Sequence, residues 1–361
     1  MRQRVLSVLI IAVACRGPAA AAGQGADDNL RVPAGFKVSV FAANLPGVRY
    51  LTLGPGNAVY ASQPGEGSVV KLTDSNHDGV ADSPVVVASG VSGAFGVAFR
   101  GDTMFVAGER ELVRFDPGAR TPVSLMRLPS GGHSTRTILF GPDGKLYVAV
   151  GSSCNLCDEH DSMRAAVTQF NRDGSGGRIF ARGLRNTVGM AFNPTSGELW
   201  GGNNDRDNLG DDLPPEHINI IKDGRNYGWP ECYLPGKPNP EYGSANCSNV
   251  EPPAITIQAH SAPLGLAFYT GTQFPREYRG DAFVTLHGSW NRSVPTGAKV
   301  VRVQVDSGGR RAVGVEDFIV GWQRPDGTRW GRPVGLLVLP DGSLLVSDDM
   351  GGKIWRVSYG R

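Results

Sequence analysis

The chain has 361 residues, of which 50 are glycine and 25 are proline, and only 19% are charged. Its formal net charge of +2 gives no field strong enough to argue for nucleic acid or an anionic membrane surface as a partner. Helical Glu-Lys-Ala periodicity is scarce, so the composition favours a β protein.

The N-terminus carries the pattern of a secretory signal. Two arginines precede a mainly apolar stretch of ten residues, and an alanine run follows, which predicts a signal peptide over residues 1–23 and one domain over residues 27–361. The apolar stretch is too short to span a bilayer, so a transmembrane segment is not expected. Cleavage near the end of the alanine run and lipid attachment at Cys15 both stay open, and both predict a periplasmic or secreted protein.

A unit made of an apolar run, a turn and a second apolar run recurs six times. Its repeated apolar position falls at Leu53, Phe99, Phe140, Phe192, Phe268 and Val338. The steps between these positions are 46, 41, 52, 76 and 70 residues. Propeller blades run about 40 to 50 residues, so three steps fit one blade each and the last two carry insertions. The pattern predicts an all-β fold, a six-bladed β-propeller.

The two ends of the chain offer strands that could close the ring. Phe36, Val38 and Val40 alternate with polar residues near the N-terminus, and residues 354–357 form the last apolar segment. Pairing them in one blade would leave no open edge, so we expect the N-terminal strand to close the propeller.

Four cysteines lie beyond the signal segment, Cys154 with Cys157 and Cys232 with Cys247. An even count in an exported chain suggests disulfides, and the two local pairings are the simplest, although connectivity cannot be read from sequence. Haem attachment at the first pair is excluded, because an aspartate follows it where that motif needs histidine. Zinc would need a second pair at ligand spacing.

Polar residues precede the repeated apolar positions by four to eight residues. They are Arg49, His133, Arg136, Arg185, Asn186, His260 and Arg332. Loops that enter equivalent strands of a propeller lie on one face around the channel, so we expect these side chains to converge. Several arginines with a histidine and an amide suit an anionic ligand that carries several carboxylates.

Residues 183–230 concentrate further polar groups after two predicted strands. The segment from Asn203 to Glu216 is rich in carboxylates and amides, which are hard oxygen ligands suited to calcium. Asn, Asp and Gly are also the usual turn residues, so a solvated turn remains the alternative.

Three motifs in this region, G-x-R-N-x-x-G-x-A-F, N-x-D-R-D-x-L-G-D-D-L-P-P and N-Y-G-W-P, resemble those of the soluble quinoprotein sugar dehydrogenases. The resemblance is strongest to the sorbosone dehydrogenase branch and runs from about Pro33 to Tyr359. It implies a six-bladed propeller that binds pyrroloquinoline quinone and calcium and oxidises an aldose or related sugar or alcohol. No haem motif is present, so a separate electron acceptor is expected.

The resemblance also implies site residues. His133, in GGHSTRTILFGPDGKLYV, would be the catalytic base, and Arg185 with Asn186 would stabilise charge on the quinone oxygen. Cofactor contacts are expected from Arg49, Arg136, Arg185, Asn186, Asn204, Arg292 and Arg332. Calcium ligands are expected around Asn204, Asp205, Arg206 and Asp207, partly through backbone carbonyls. His287, Trp290, Asn291 and Lys299 are further candidate contacts, although Trp290 could be a packed corner and Lys299 a strand-edge charge.

Two other functions remain open at this stage. A calcium-dependent lactone hydrolase of the propeller type would need carboxylates that converge on one metal in the channel. A non-catalytic propeller that binds a glycan or a protein would need no histidine at position 133. Fold alone does not separate these alternatives.

Overall fold

The computed structural model describes residues 23–24 and 30–360. Apart from Gly23, the predicted signal peptide lies outside the described residues, as does Cys15, so signal cleavage and lipid attachment stay predictions. Within the part of the chain that is described, no helix has the length and apolar character needed to cross a membrane.

The protein is a six-bladed β-propeller in which each blade is a four-stranded antiparallel sheet. The strands before the first inner strand are β1 (Gly23–Gln24), β2 (Arg31–Val32) and β3 (Phe36–Ala42). Blade 1 contains β4 (Leu51–Leu53), β5 (Val59–Gln63), β6 (Ser68–Leu72) and β7 (Val85–Ala88). Blade 2 contains β8 (Gly96–Arg100), β9 (Thr103–Ala107), β10 (Glu111–Phe115) and β11 (Val123–Arg127). Blade 3 contains β12 (Arg136–Phe140), β13 (Leu146–Val150), β14 (Ala166–Phe170) and β15 (Arg178–Arg182).

The later blades carry the insertions. Blade 4 contains β16 (Thr187–Phe192), β17 (Leu199–Asn203), β18 (Glu216–Ile221) and β21 (Ile255–Ile257), with the hairpin β19 (Cys232–Leu234) and β20 (Lys237–Pro238) inserted. Blade 5 contains β22 (Pro263–Phe268), β23 (Ala282–Leu286), β24 (Lys299–Val305) and β25 (Ala312–Ile319). Blade 6 contains β26 (Pro333–Val338), β27 (Leu344–Asp348), β28 (Lys353–Tyr359) and the early strand β3. The helices among the described residues are single 3₁₀ turns at Pro55–Asn57, Pro64–Glu66, Pro240–Tyr242 and Arg276–Tyr278.

The six repeated apolar positions all lie at or next to the end of an inner strand, which confirms the blade assignment. Four of them meet an aromatic ring from the second strand of the preceding blade. The pairs, with their ring-centroid distances, are Tyr60–Phe99 (4.5 Å), Phe105–Phe140 (5.0 Å), Tyr147–Phe192 (5.3 Å) and Trp200–Phe268 (5.5 Å). Aromatic pairs in edge-to-face or tilted arrangements stabilise a fold by more than their buried area alone contributes. The same kind of contact therefore joins four successive pairs of blades.

The N-terminal strand closes the ring, as the sequence predicts. β3 pairs antiparallel with β28, placing Phe36 opposite Tyr359 and Val38 opposite Val357. The Phe36 ring also packs edge-on against Phe274 and Phe318, at 4.8 and 5.0 Å. The first and last strands of the propeller are therefore held in one blade, and β3 covers the edge that β28 would otherwise leave unpaired.

The inner strands approach one another closely enough that side chains do not fit between them. A Cβ added at Gly96, Gly189 or Gly265 would lie 2.3–2.7 Å from a backbone oxygen in the inner strand of the next blade. A Cβ added at Gly335 would lie 2.2 Å from the carbonyl oxygen of Arg49, in the loop before β4. Below the polar face the channel is filled by Phe95, Val188, Leu264 and Val334, all buried. This apolar plug forms the floor on which a ligand can rest.

A buried carboxylate supports the polar face from below. Asp348 is fully buried and accepts hydrogen bonds from the indole Nε1 of Trp322 (3.1 Å) and Trp355 (3.3 Å). It also accepts from the backbone N–H groups of Arg332 (2.8 Å) and Gly351 (2.8 Å). One side chain thus ties blades 5 and 6 to the loop that presents Arg332.

Replacing Asp348 with alanine should lower the free energy of unfolding by about 3 to 5 kcal/mol, because four donors lose their acceptor, among them the indole N–H groups of two buried tryptophans. Urea unfolding of the variant and the wild type measures this difference. Asp326, an exposed turn carboxylate that bonds only Thr328, is the matched control, and Asp326→Ala should change stability little. Equal stability of Asp348→Ala and the wild type would contradict the assigned role.

Candidate active site

Most of the sequence-predicted residues lie in loops on one face of the propeller, above the apolar plug, while Arg136 and Lys299 begin the strands β12 and β24. Most of these loop residues belong to two separate networks of hydrogen bonds and ion pairs. The first joins His133, Asn186 and Arg185 to the segment 204–207, and the second joins Arg49 and Arg332 through Asp349 and His287.

His133 is half-buried and held by the loop after β13. Its Nδ1 lies 2.9 Å from the Ser152 carbonyl oxygen and 3.1 Å from the Ser152 hydroxyl. A carbonyl can only accept, so Nδ1 carries the ring hydrogen and Nε2 is left with a free lone pair. The ring is therefore set up to remove a proton through Nε2.

The electrostatic surroundings keep this imidazole neutral. Burial, followed by the positive charge of Arg185 and then of Arg136 and Arg164, lowers the pKa of His133 to about 4, against the opposing hydrogen bond to Ser152. A base with a lowered pKa is neutral above that pH and is lost as the pH falls through it.

In the cofactor-free protein, the His133 ring should therefore titrate near pH 4, well below an ordinary histidine. Nuclear magnetic resonance of ¹³C-labelled histidine across pH 3.5 to 8 measures the midpoint, and the His133→Gln variant assigns the signal. A midpoint above about 6 would contradict the assigned surroundings.

Arg136 serves this loop rather than the open site. Its guanidinium is fully buried and donates to the carbonyls of Pro129 (2.5 Å), His133 (2.6 Å) and Thr135 (2.8 Å). The expected cofactor contact of Arg136 is therefore replaced by a role in holding the backbone around His133. Arg164, which the sequence did not single out, acts similarly by donating to the carbonyl of Gly151 (3.1 Å).

Arg185 is buried and uses all of its N–H groups. Nε donates to the carbonyl of Asn155 (3.0 Å), and Nη2 donates to Asn155 Oδ1 (2.9 Å) and Asp207 Oδ2 (3.1 Å). Nη1 donates to the carbonyls of Asp205 (2.6 Å) and Asn204 (3.4 Å). The guanidinium is thus fixed in orientation, with Asp207 as its ion-pair partner.

Asn186 has a buried amide oxygen without a hydrogen-bond partner. Gly151 lies between this oxygen and His133, because a Cβ on Gly151 would stand 2.4 Å from Asn186 Oδ1 and 2.8 Å from His133 Cβ. A buried acceptor without a donor is costly unless a ligand supplies one. Asn186 and His133 therefore lie together where a bound molecule would complete the hydrogen bonding.

The proposed calcium segment lies beside Arg185, but most of its side chains have other partners. Arg206 forms an ion pair with Glu241 (2.6 Å), and its Nε donates to the carbonyl of Asp207 (3.3 Å). Asp205 is buried next to His217 (3.6 Å), and burial raises its pKa to about 7. Asn204 donates its amide to the carbonyl of Pro263 (2.8 Å).

Asp207 is the carboxylate of this segment that reaches the first network. Its Oδ1 accepts from Asn291 Nδ2 (2.8 Å), while Oδ2 accepts from Arg185. Within residues 30–360, three His, Cys, Asp or Glu ligand atoms converge at Cys154, Cys157 and Glu159, where the two sulfurs are bonded to each other. A calcium ion near Arg185 would therefore depend on backbone carbonyls, on Asp207 and on oxygens of the ligand itself.

The second network is cationic. Asp349 lies 3.5 Å from Arg49 Nε and 3.0 Å from His287 Nε2, and Arg332 Nε donates to the His287 carbonyl (3.0 Å). Burial lowers the pKa of His287 to about 4, so the histidine is neutral and two arginines face one carboxylate. The sequence did not single out Asp349, whose only signal is its place directly after a strand.

Residues 290–299 were expected to contribute contacts. Arg292 bonds the Asp211 carbonyl and Asp212 (3.2 Å), so its guanidinium is already engaged. Lys299 pairs with Asp317 (2.6 Å) between neighbouring strands. Trp290 is 75% exposed, so it is not a packed corner.

The residues present fit a planar anionic quinone. The unpartnered Asn186 oxygen offers an acceptor next to His133, and Arg49 and Arg332 supply positive charge for carboxylates above an apolar floor.

Both predicted disulfides are present, Cys154–Cys157 and Cys232–Cys247. The second closes a loop within the insertion of blade 4, which also contains Glu241, the partner of Arg206. The first lies in the loop that carries Ser152 and Asn155, directly beside both candidate reacting groups.

Comparisons with known proteins identify the family and the fold. A family model described as TrAA12-like matches residues 30–360. An uncharacterized protein of Borreliella burgdorferi is 39% identical over 63% of this chain and 61% of its own length. A pyrroloquinoline quinone-dependent sugar dehydrogenase of Hypocrea jecorina is 28% identical over 67% of this chain and 65% of its own length. The chain thus spans less than two thirds of the length of these relatives.

A solved structure shares the fold over almost its whole length. The calcium structure of a Trichoderma reesei carbohydrate-active enzyme of family AA12 superposes with a TM-score of 0.79 and 20% identity. The match covers 93% of this chain and 98% of the solved one. At this identity the likeness supports the propeller architecture.

Proposed function

Because the chain belongs to the TrAA12-like family, we propose that it is a quinoprotein oxidoreductase. It oxidises an aldose or a related sugar or alcohol, of the aldose or sorbosone type, with pyrroloquinoline quinone and calcium. The observation that carries the proposal is the neutral His133 with a free Nε2, placed beside the unpartnered Asn186 oxygen and the fixed guanidinium of Arg185.

The chain's own residues have distinct tasks in this reaction. His133 Nε2 takes the proton of the substrate hydroxyl as the carbon is oxidised. Arg185, held by five contacts, places its charge without having to reorganise. When bound, the quinone would supply the acceptor for the two electrons and the hydrogen that leave the substrate carbon.

Binding of the cofactor is assigned to the cationic network. Arg49 and Arg332 would hold carboxylates by charge-assisted hydrogen bonds, and Asn186 and Asn204 would lie along its edge. Calcium would be held by the carbonyls of residues 204–206 and by the Asp207 carboxylate. Asp205 is a poorer ligand, because burial raises its pKa and its carboxylate faces His217.

Purified protein mixed with the quinone and calcium should reduce an artificial electron-accepting dye when aldoses are added. The same mixture without quinone should not. Turnover of a lactone without quinone would instead support a hydrolase, and quinone binding without dye reduction would support a binding propeller. The hydrolase is less favoured, because the carboxylates of this face, within the described residues, do not gather their oxygens around one point as that metal site would require.

The N-terminal pattern and the two disulfides support export to an oxidising compartment, periplasmic or extracellular. The electrons would then pass to a separate acceptor.

A further inference from the structure

One loop, residues 151–165, touches both candidate reacting groups. Ser152 contacts Nδ1 of His133 through its carbonyl and its hydroxyl. The same hydroxyl donates to the carbonyl of Cys154 (2.6 Å). The following residue, Asn155, contacts Arg185. Any change in the shape of this loop therefore reaches the base and the guanidinium together.

Asn155 directs nearly all of its hydrogen-bonding capacity at Arg185 and Asp207. Its Oδ1 accepts from Arg185 Nη2 (2.9 Å) and from the backbone N–H of Asp207 (2.7 Å), and its Nδ2 donates to the Asp207 carbonyl (3.1 Å). Its carbonyl accepts from Arg185 Nε (3.0 Å) and from Trp229 Nε1 (3.3 Å). These bonds fix Arg185 relative to the segment 204–207.

Asn155 lacks the support of a sheet, because residues 151–165 lie between β13 and β14 and form no strand. The Cys154–Cys157 disulfide spans it instead, closing a loop of four residues. The cross-link restricts the conformations that residues 154–157 can adopt. Glu159 also holds this loop, because its carboxylate accepts hydrogen bonds from the backbone N–H (2.5 Å) and the hydroxyl (2.8 Å) of Ser153.

We propose that Asn155, held by the Cys154–Cys157 disulfide, is a positioning residue that fixes the Arg185 guanidinium beside His133. The consequence for turnover rests on the function proposed above, whereas the consequence for His133 itself does not. The disulfide is thereby part of the site, and reducing it with two electrons and two protons to a pair of thiols loosens the site without removing a reacting group.

His133 reports the position of Arg185. The Arg185 charge is the largest charge effect that lowers its pKa, and Arg136 and Arg164 add smaller ones. Two carboxylates of the flanking loops, Glu109 and Glu159, accept hydrogen bonds from Gly131 and Ser153. If Arg185 drifts away, the His133 pKa should rise, because less positive charge opposes protonation.

The test uses cofactor-free protein with ¹³C-labelled histidine. Asn155→Ala should raise the His133 titration midpoint by about half a unit to one unit. Asn171 is the matched control, since it lies in the same blade at the opposite end of β14 and also bonds two side chains, Lys145 and Ser175. Asn171→Ala should leave the midpoint unchanged.

The disulfide is tested separately, in a Cys232→Ser/Cys247→Ser background where dithiothreitol can act only on Cys154–Cys157. Reduction should raise the midpoint as Asn155→Ala does, and reoxidation should restore it. If Asn155→Ala does not fold, this arm decides the question. An unchanged midpoint on reduction and in any folded Asn155→Ala protein overturns the proposal.

Turnover measurements then distinguish the positioning role of Asn155 from the proposed quinone-dependent function. In quinone- and calcium-loaded protein, Asn155→Ala should lower kcat by about tenfold to a hundredfold with a small change in KM. If the wild type has no quinone-dependent activity but the midpoint moves, the proposed function is wrong and the positioning role stands. If the wild type is active but Asn155→Ala changes neither the midpoint nor kcat, the positioning role is wrong.

Discussion

Replacing His133 with alanine should lower turnover of the quinone- and calcium-loaded protein by about two to four orders of magnitude. The reason is that Nε2 is the free proton acceptor beside Asn186 and Arg185, whereas Nδ1 is committed to Ser152. Steady-state kinetics with a saturating dye acceptor measures the loss.

Quinone affinity distinguishes a lost base from a lost site. His133→Ala should bind the quinone about as well as the wild type, because Arg49 and Arg332 are unchanged. His77 is exposed in the loop between β6 and β7 of blade 1, which does not lead into an inner strand. His77→Ala is therefore the matched control and should keep wild-type turnover. Near wild-type activity of His133→Ala would show that another group accepts the proton.

Replacing Arg332 with alanine should weaken quinone binding by about tenfold to a hundredfold, which corresponds to the loss of one charge-assisted hydrogen bond. Arg332 is half-buried, and its Nε is oriented by the carbonyl of His287 (3.0 Å). Equilibrium titration followed by quinone absorbance gives the dissociation constant.

Arg324 provides the control for this prediction. It is exposed in the same connection between blades 5 and 6, and Arg324→Ala should bind the quinone as the wild type does. At saturating quinone, Arg332→Ala should recover most of its turnover, since the base is intact. Unchanged affinity in Arg332→Ala would remove this arginine from the cofactor site.

The fold could be predicted from the sequence because a propeller repeats one local pattern. The apolar position at Leu53, Phe99 and their equivalents recurs once per blade, and so does its place at the end of an inner strand. The sequence carries a second signal of the same kind, a glycine three residues before that position in four of the blades. At these glycines neighbouring blades meet backbone to backbone, and they are Gly96, Gly189, Gly265 and Gly335.

The outline of the site could also be predicted, since each loop before an inner strand reaches the same face. His133, Arg185 and Asn186 do lie together. The direction of a side chain within its loop is a different matter. Arg136 is the first residue of β12 and Arg49 stands two residues before β4, yet Arg136 is buried against three carbonyls while Arg49 faces Asp349.

The sequence by itself thus determined the blade count, the closure by β3 and the face that carries the polar groups, because spacing and strand alternation are local properties. It offered the two local cysteine pairings only as the simplest ones, and the structure shows them as disulfides. The tertiary structure decided which polar groups are free to bind. Asp205 and Asp207 are two residues apart in one acidic stretch, but burial beside His217 raises the pKa of Asp205, whereas Asp207 lies between Arg185 and Asn291. Asn155 likewise acquires its role from Arg185, 30 residues away, because hydrogen-bond partners of that separation are set by how the blades pack.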